Sequence, residues 1–300
     1  MPQAGKNFVH EMNDKNHFYK LCTALDIPVL RTECSDTLIE LPEILAKLGP
    51  LDSYIFKPSE DRMNIDGRQR KFIVSKDASE LTTIVGDVFK SKNFPYQVQE
   101  YIDYSRSPVR YYNSTYLITD TEVKHHFITE QIINLVGIHN NLTSSNWLSR
   151  HRNPKNSHFG NRSINAATLS DLSLASSYCD QLVEHYRANG YLGELGIDFG
   201  LTENRLFFLE TNARENNATR LYYFLNEMNI EIPKKKFIFL WKHIFEAAVP
   251  ASLIDENPVS TKVVQDVLGD KILLWAEDEH LINEIYTLVS HLAHDAYPNR

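Results

Sequence analysis

The chain has 300 residues, 42% hydrophobic and 23% charged, with 11 glycines. That is a globular composition with room for two domains, and it excludes collagen, coiled coil and wholesale disorder. Thirty-one Lys and Arg against 39 Asp and Glu leave a net charge of −8, so the average surface repels nucleic acid and anionic lipid, and a polyanion would need a local basic pocket.

In chain order, Asp14 precedes Phe18, Leu21, Cys22 and Leu25 at spacings of three and four, which predicts a capped helix closed before Pro28. Pro42 and Gly49 bracket a second helix with Leu41, Ile44, Leu45 and Leu48 inward. Strands are expected at 53–57, 71–75 and 96–102, with a capping box at Asp77 and Glu80 opening a helix between the last two. Extended runs follow at 109–119 and 122–136. The stretch 139–165, rich in Asn, Ser, His and Arg, shows no period and reads as a long irregular loop. A helix over 169–189 ends at Gly190, and strands at 191–199 and 205–210 form a hairpin. The remainder reads as mostly helical, with a strand at 271–275, a last helix over 278–294, and the aromatic stripe from Phe237 to Phe245 as helix core. Hairpin strands without regular βαβ alternation predict α+β architecture, and neither G-x-G-x-x-G nor G-x-x-x-x-G-K-[ST] is present.

Cys22, Cys34 and Cys179 lack C-x-x-C spacing and read as small buried hydrophobes. The polar first dozen residues hold no apolar signal core. Phe237 to Val249 carries Lys242, His243 and Glu246 and is too short to cross a bilayer, so a soluble, cytoplasmic protein without membrane or nucleic-acid partners is expected. His125, His126, His139, His151 and His158 show no zinc-ligand spacing.

Chemistry concentrates in the second hairpin. Glu210 and Asn212 alternate onto one strand face, and a short turn lets Asp198 share it. Two carboxylates and an amide oxygen suit Mg²⁺, with Mn²⁺ as the alternative, and Arg214 would aim a guanidinium at bound phosphates. Lys57 closes an apolar strand and Lys71 opens the next, so the pair could clamp a triphosphate. Glu100, Tyr101, Ile102 and Asp103 lie at a junction where an adenine edge could be read between apolar walls.

The order and spacing of these residues resemble the ATP-grasp superfamily, over about 14–294. The opening Asp14-Lys15 pair, Lys57 with Pro58, the Glu100-Tyr101-Ile102 hinge and the Asp198…Glu210-x-Asn212-x-Arg214 series carry the likeness. The resemblance implies two α+β lobes clasping ATP between antiparallel sheets, with Lys57, Lys71, Glu100, Tyr101, Ile102 and Asp103 on the nucleotide. It also implies Asp198, Glu210 and Asn212 on magnesium. The expected division is a helical opening segment at 1–50, a small lobe at 51–107 and a large lobe at 108–300. The implied reaction is ATP-dependent ligation of a carboxylate to an amine through an acyl phosphate, on an amino acid or peptide.

Three departures accompany it. The 58–70 loop has only Gly67 where a glycine-rich flap is common, so Arg62, Arg68 and Arg70 are candidate phosphate contacts. Gly196 stands where D-alanine ligases carry an arginine. Glu-Asn-Asn-Ala-Thr-Arg follows Arg214, which makes Arg220 and Arg110 candidate anchors for carboxylate or phosphate. Such ligases commonly carry a preceding domain of about one hundred residues. With about a dozen residues before the first helix, the acceptor pocket is expected to come from the 139–165 loop, Trp147, Arg150, His151 and Arg152 included, and the C-terminal segment. A homodimer or partner chain would be the other source of that wall. Two other readings are a kinase that stops at phosphoryl transfer to a small acceptor, and a non-catalytic nucleotide-binding module.

Overall fold

Two antiparallel sheets organise the chain. The computed structural model describes residues 6–59, 73–89, 93–102, 109–133, 158–164, 168, 172–230, 236–255, 260–266, 269–276 and 279–295. Helix α1 (Lys6–Met12) leads into α2 (Lys15–Ala24), whose cap is Asp14, accepting from His17 N at 2.7 Å. Four strands, β1 (Thr32–Ser35), β2 (Tyr54–Pro58), β3 (Ile73–Ser75) and β4 (Tyr96–Glu100), form a sheet in the order β1-β4-β2-β3. This sheet takes β1 from within the stretch expected to be a helical opening segment.

Helices α3 (Leu41–Leu48) and α4 (Ala78–Phe89) cover one face of that sheet, burying Phe56, Tyr96 and Val98 against Leu45, Leu81 and Phe89. Gly49 ends α3 at φ 67°, a left-handed conformation that favours glycine. The box at α4 is only half formed. Asp77 Oδ1 accepts from Glu80 N at 2.7 Å, but the Glu80 carboxylate takes Ser75 Oγ at 2.5 Å. The other face carries Ile55, Val74 and Tyr101, with Lys57 beyond Ile55 by the two-residue period.

The larger sheet runs β11-β12-β10-β7-β6-β5-β8-β9. Its strands are β5 (Arg110–Ile118), β6 (Val123–Ile133), β7 (His158–Arg162), β8 (Gly193–Leu201), β9 (Leu206–Asn212), β10 (Lys236–Trp241), β11 (Ser260–Asp266) and β12 (Gly269–Ala276). The back face packs Tyr112, Ile197, Phe199 and Phe208 against α2 and α5 (Ser173–Ala188). Further along, Ile238, Leu240 and Leu274 meet α7 (Lys242–Ala248) and α9 (Glu279–Asp295), which α8 (Ala251–Asp255) separates in the chain. On the front face α6 (Asn217–Glu227) lays Leu221 and Leu225 on Phe127, Phe237, Phe239 and Leu273. Each such burial stabilises by about 1.5–3 kcal/mol.

Two expectations are corrected. Phe237–Trp241 is strand β10 and only Lys242 onward is helix, while β11 adds a further strand to a segment read as mostly helical. Strand β10 is covered on both faces, so its apolar run shows no alternation that would separate strand from helix. The stretch read as an irregular loop contains β7, where Asn161 and Arg162 find side-chain partners inside the sheet. Asn161 Nδ2 donates to Thr129 Oγ1 at 3.0 Å, and Arg162 meets the buried Glu130 at 2.8 Å. The antiparallel α+β architecture is as expected. Cys22 and Cys179 lie together in the back-face core and all three thiols are unpaired. Burial pushes Cys34 and Cys179 up to about 12, and Cys22 also upward.

Candidate functional site

The β8–β9 hairpin turns where Thr202 N donates to Arg205 O at 2.9 Å, and its register pairs Asp198 with Glu210 and Gly196 with Asn212. Asp198, half-buried on the front face, is ringed by amides. Asn113 on β5 donates to Oδ1, Gln131 on β6 donates to the same oxygen at 2.7 Å, and Asn212 Nδ2 donates to Oδ2 at 3.1 Å. Burial foremost, then the charge of Glu210, push the Asp198 carboxyl up, and the three donors oppose the shift. Two facing carboxylates that resist joint ionisation are a donor set that a hard cation would relieve. Among the described residues no three of His, Cys, Asp and Glu cluster as a metal site. The third oxygen here is an amide, Asn212, and these three residues fit magnesium.

Each oxygen already has a donor. Lys15 Nζ lies 2.6 Å from Glu210 Oε2, with side chains 5% and 25% exposed. Arg214 Nη1 donates to Asn212 Oδ1 at 2.7 Å. Lys15 is held at the first turn of α2 by its neighbours. Asp14 caps the helix and takes Ser59 Oγ, while Lys15 N donates to Ser59 O at 3.0 Å, tying the helix to the end of β2. Lys57, on β2, donates to Gln99 Oε1 at 2.7 Å. Burial first, then the charge of Lys15, push its ammonium down to about 8, against an opposing pull from Glu210. The two lysines and Glu210 thus share one electrostatic neighbourhood across the boundary between the sheets.

At the junction, Glu100 N donates to Arg31 O at 2.7 Å and Tyr101 N to Ser53 O at 2.9 Å. The Glu100 carboxylate is engaged by Arg205 of the hairpin at 2.8 Å. Ile102 joins Leu30, Tyr111 and Phe207 in an apolar cluster linking the lobes. Arg214 is exposed and Arg220 sits in the first turns of α6, near the hairpin end. Arg110 is not brought to the site. It lies 6.0 Å from the Tyr112 ring, which stacks on Phe199 on the opposite face from Asn113. Lys71, Asp103, Arg62, Arg68, Arg70 and the Trp147–Arg152 stretch lie outside the described residues.

Lys15, Asn113 and Gln131 went unread as site residues. Lys15 had a signal in following a helix cap. Asn216 begins an Asn-x-x-Thr box, with Thr219 N donating to its Oδ1 at 3.0 Å. Asn113 and Gln131 had none, because only the pairing of β5 with β6 and β8 aims them at Asp198.

Solved structures share this arrangement at low identity. The N5-carboxyaminoimidazole ribonucleotide synthetase of Thermus thermophilus superposes with a TM-score of 0.61 at 13% identity, over 94% of this chain and 72% of that one. The fold is that of the ATP-grasp enzymes. The Aspergillus clavatus N5-carboxyaminoimidazole synthase, in complex with ADP and 5-aminoimidazole ribonucleotide, is similar at 0.60 and 11% over 96% and 75%. A Thermotoga maritima phosphoribosylamine–glycine ligase is similar in fold at 0.54 and 12% over 95% of this chain and 77% of that one. No family model and no curated protein matches the sequence. Among the described residues no helix is long and apolar enough to cross a membrane.

Proposed function

We propose that the protein is an ATP-dependent ligase that activates a carboxylate as an acyl phosphate for attack by an amine, on an amino acid or peptide. The observation that carries this is the convergence of Asp198, Glu210 and Asn212 on one hairpin face with Lys15 and Lys57 opposite. The fold shared with enzymes solved with ADP supports ATP as the nucleotide.

Adenine would rest on the apolar face of Ile55, Val74 and Tyr101, against the backbone of 100–102, with its phosphates running toward Lys57 and Lys15. Asp198, Glu210 and Asn212 would hold Mg²⁺ or Mn²⁺, which supplies charge neutralisation at the transferring phosphoryl group. The Lys57 ammonium, which burial disfavours, would gain a counter-charge beside phosphate oxygens, and Lys15 would shift from Glu210 toward them. A carboxylate oxygen of the substrate attacks the γ-phosphorus and ADP leaves. The amine nitrogen then attacks the acyl carbon, inorganic phosphate departs, and the amine gives up a proton. Arg214 and Arg220 would steady the acid and the departing phosphate. No protein nucleophile is needed, and positioning with electrostatics carries the rate.

The test is ATP turnover with individual acid–amine pairs, following ADP, AMP and phosphate separately. ADP and phosphate released only when both partners are present is the expected result. Failure to bind ATP in a Mg²⁺-dependent way would overturn the reading.

A further inference from the structure

The face of the small sheet that carries Lys57 is not wholly apolar. A line of polar side chains crosses it from β1 through β4 to β2. Thr32 of β1 stands directly opposite Gln99 of β4. Gln99 is in turn diagonal to Lys57 of β2, because its direct partner there is Ile55, two residues earlier. Thr32 and Gln99 are only 3% and 4% exposed, so neither can turn to water instead.

The line has a direction. Thr32 Oγ1 donates to Leu30 O at 2.8 Å, Gln99 Nε2 donates to Thr32 Oγ1 at 2.9 Å, and Lys57 Nζ donates to Gln99 Oε1 at 2.7 Å. The hydroxyl has spent its one proton on a backbone carbonyl, so it can only accept from the amide. The amide must then turn its oxygen toward Lys57. A flipped amide would set an N–H against an ammonium, donor against donor.

The acceptor at the end of this line is neutral. Lys15 rests against the Glu210 carboxylate at 2.6 Å, a contact that cancels its charge. Gln99 fixes one of the three Lys57 donors and cancels nothing, and the charges acting on Lys57 are those of Lys15 on α2 and Glu210 on β9. A carboxylate of the same shape in place of this amide would turn Lys57 into a closed ion pair and leave the site one charge poorer toward a polyanion.

Resting on the ATP reading above, we infer that Gln99, anchored by Thr32, is the positioning residue for Lys57: it aims the ammonium and leaves its whole charge for the phosphate chain of the nucleotide. Gln99 itself touches neither nucleotide nor metal in this role.

The test is calorimetric titration of MgATP into the whole protein between about pH 6.5 and 9.5, since linkage makes the affinity report the Lys57 charge. In the free protein that ammonium sits at about 8. Phosphate oxygens favour the charged form, so affinity should hold below that pH and fall as pH rises through it. Gln99→Glu is expected to move this inflection up by about one unit or more, and to weaken binding at pH 7 roughly tenfold through repulsion of phosphate. Gln99→Met removes the acceptor at similar volume and should move the inflection down. Thr32→Val should move it the same way by less, and Thr32→Ser, which keeps the hydroxyl, should restore it. A residue that merely supports the fold would lower affinity at every pH without moving the inflection, so weaker binding with an unmoved inflection in both Gln99 variants overturns the inference. Wild type that binds MgATP with no inflection near 8 also overturns it, and leaves the ATP reading standing. Wild type that does not bind MgATP removes the ATP reading and the role of Gln99 with it.

Discussion

Lys57 is held in a state that suits a ligand better than it suits the empty protein. Its ammonium sits at about 8 against an ordinary 10.5, chiefly through burial. Between those values the unfolded chain binds more protons than the folded one, so this residue makes stability rise with pH across that window. Below pH 8 both states are protonated and the full penalty of the buried charge remains. Lys57→Met is therefore expected to be more stable than wild type at pH 7, by ~3 kcal/mol, and to lose the rise between pH 8 and 10. Urea denaturation at several pH values measures both, and the same variant should fail to bind ATP. Glu210→Gln is the complementary case. Replacing a carboxylate that would hold the cation should lower turnover roughly a hundredfold or more, with the far-ultraviolet circular dichroism of a folded protein. Full activity in that variant would remove Glu210 from the metal assignment. In the sequence, the convergence of Asp198, Glu210 and Asn212 was legible because a short turn and the two-residue period bring them to one hairpin face. Asn113 and Gln131 were not, since an amide on a strand becomes informative only once register aims it at a partner.

At the level of elements, the start of α6 and the strand beneath it depend on each other. A methyl group at Gly196 would displace the Asn216 amide from its cap. Gly196→Ala is thus expected to cost about 1 kcal/mol, the usual worth of an N-cap, read as a lowered Tm. A Gly196→Ala protein as stable as wild type would show that the cap can shift without loss. Helices α2 and α3 and the β8–β9 hairpin were readable because their ends are punctuated by Asp14, Pro42, Gly49 and a polar turn. Strands β7 and β10 were hidden for opposite reasons. Strand β7 has the composition of a loop, and its Asn161 and Arg162 donate to Thr129 and Glu130 inside the sheet. Strand β10 is apolar on both faces because α6 covers one and α7 and α9 the other.

At the scale of the molecule, the two sheets are linked near the site both through α2 and directly. The Glu100–Arg205 pair spans them at 2.8 Å with Arg205 40% exposed, so a double-mutant cycle on Glu100→Gln and Arg205→Ala should return a coupling below about 1 kcal/mol. A much larger value would make the pair a rigid brace. The sheet boundary itself was only partly legible. Strand β1 lies between the two helices expected in the opening segment and pairs with β4, about sixty residues on, and no local pattern encodes that contact. The Lys15–Glu210 contact is longer in range still, and it bears on how ligands arrive. On the proposed assignment, Glu210 already has a counter-ion of its own, so bare Mn²⁺ titrated into nucleotide-free protein competes with a tethered ammonium and binds weakly. Phosphate oxygens draw Lys15 away and free the carboxylate at the same moment. On that assignment loading would be ordered, with cation and nucleotide entering as one species and Lys15 as the gatekeeper.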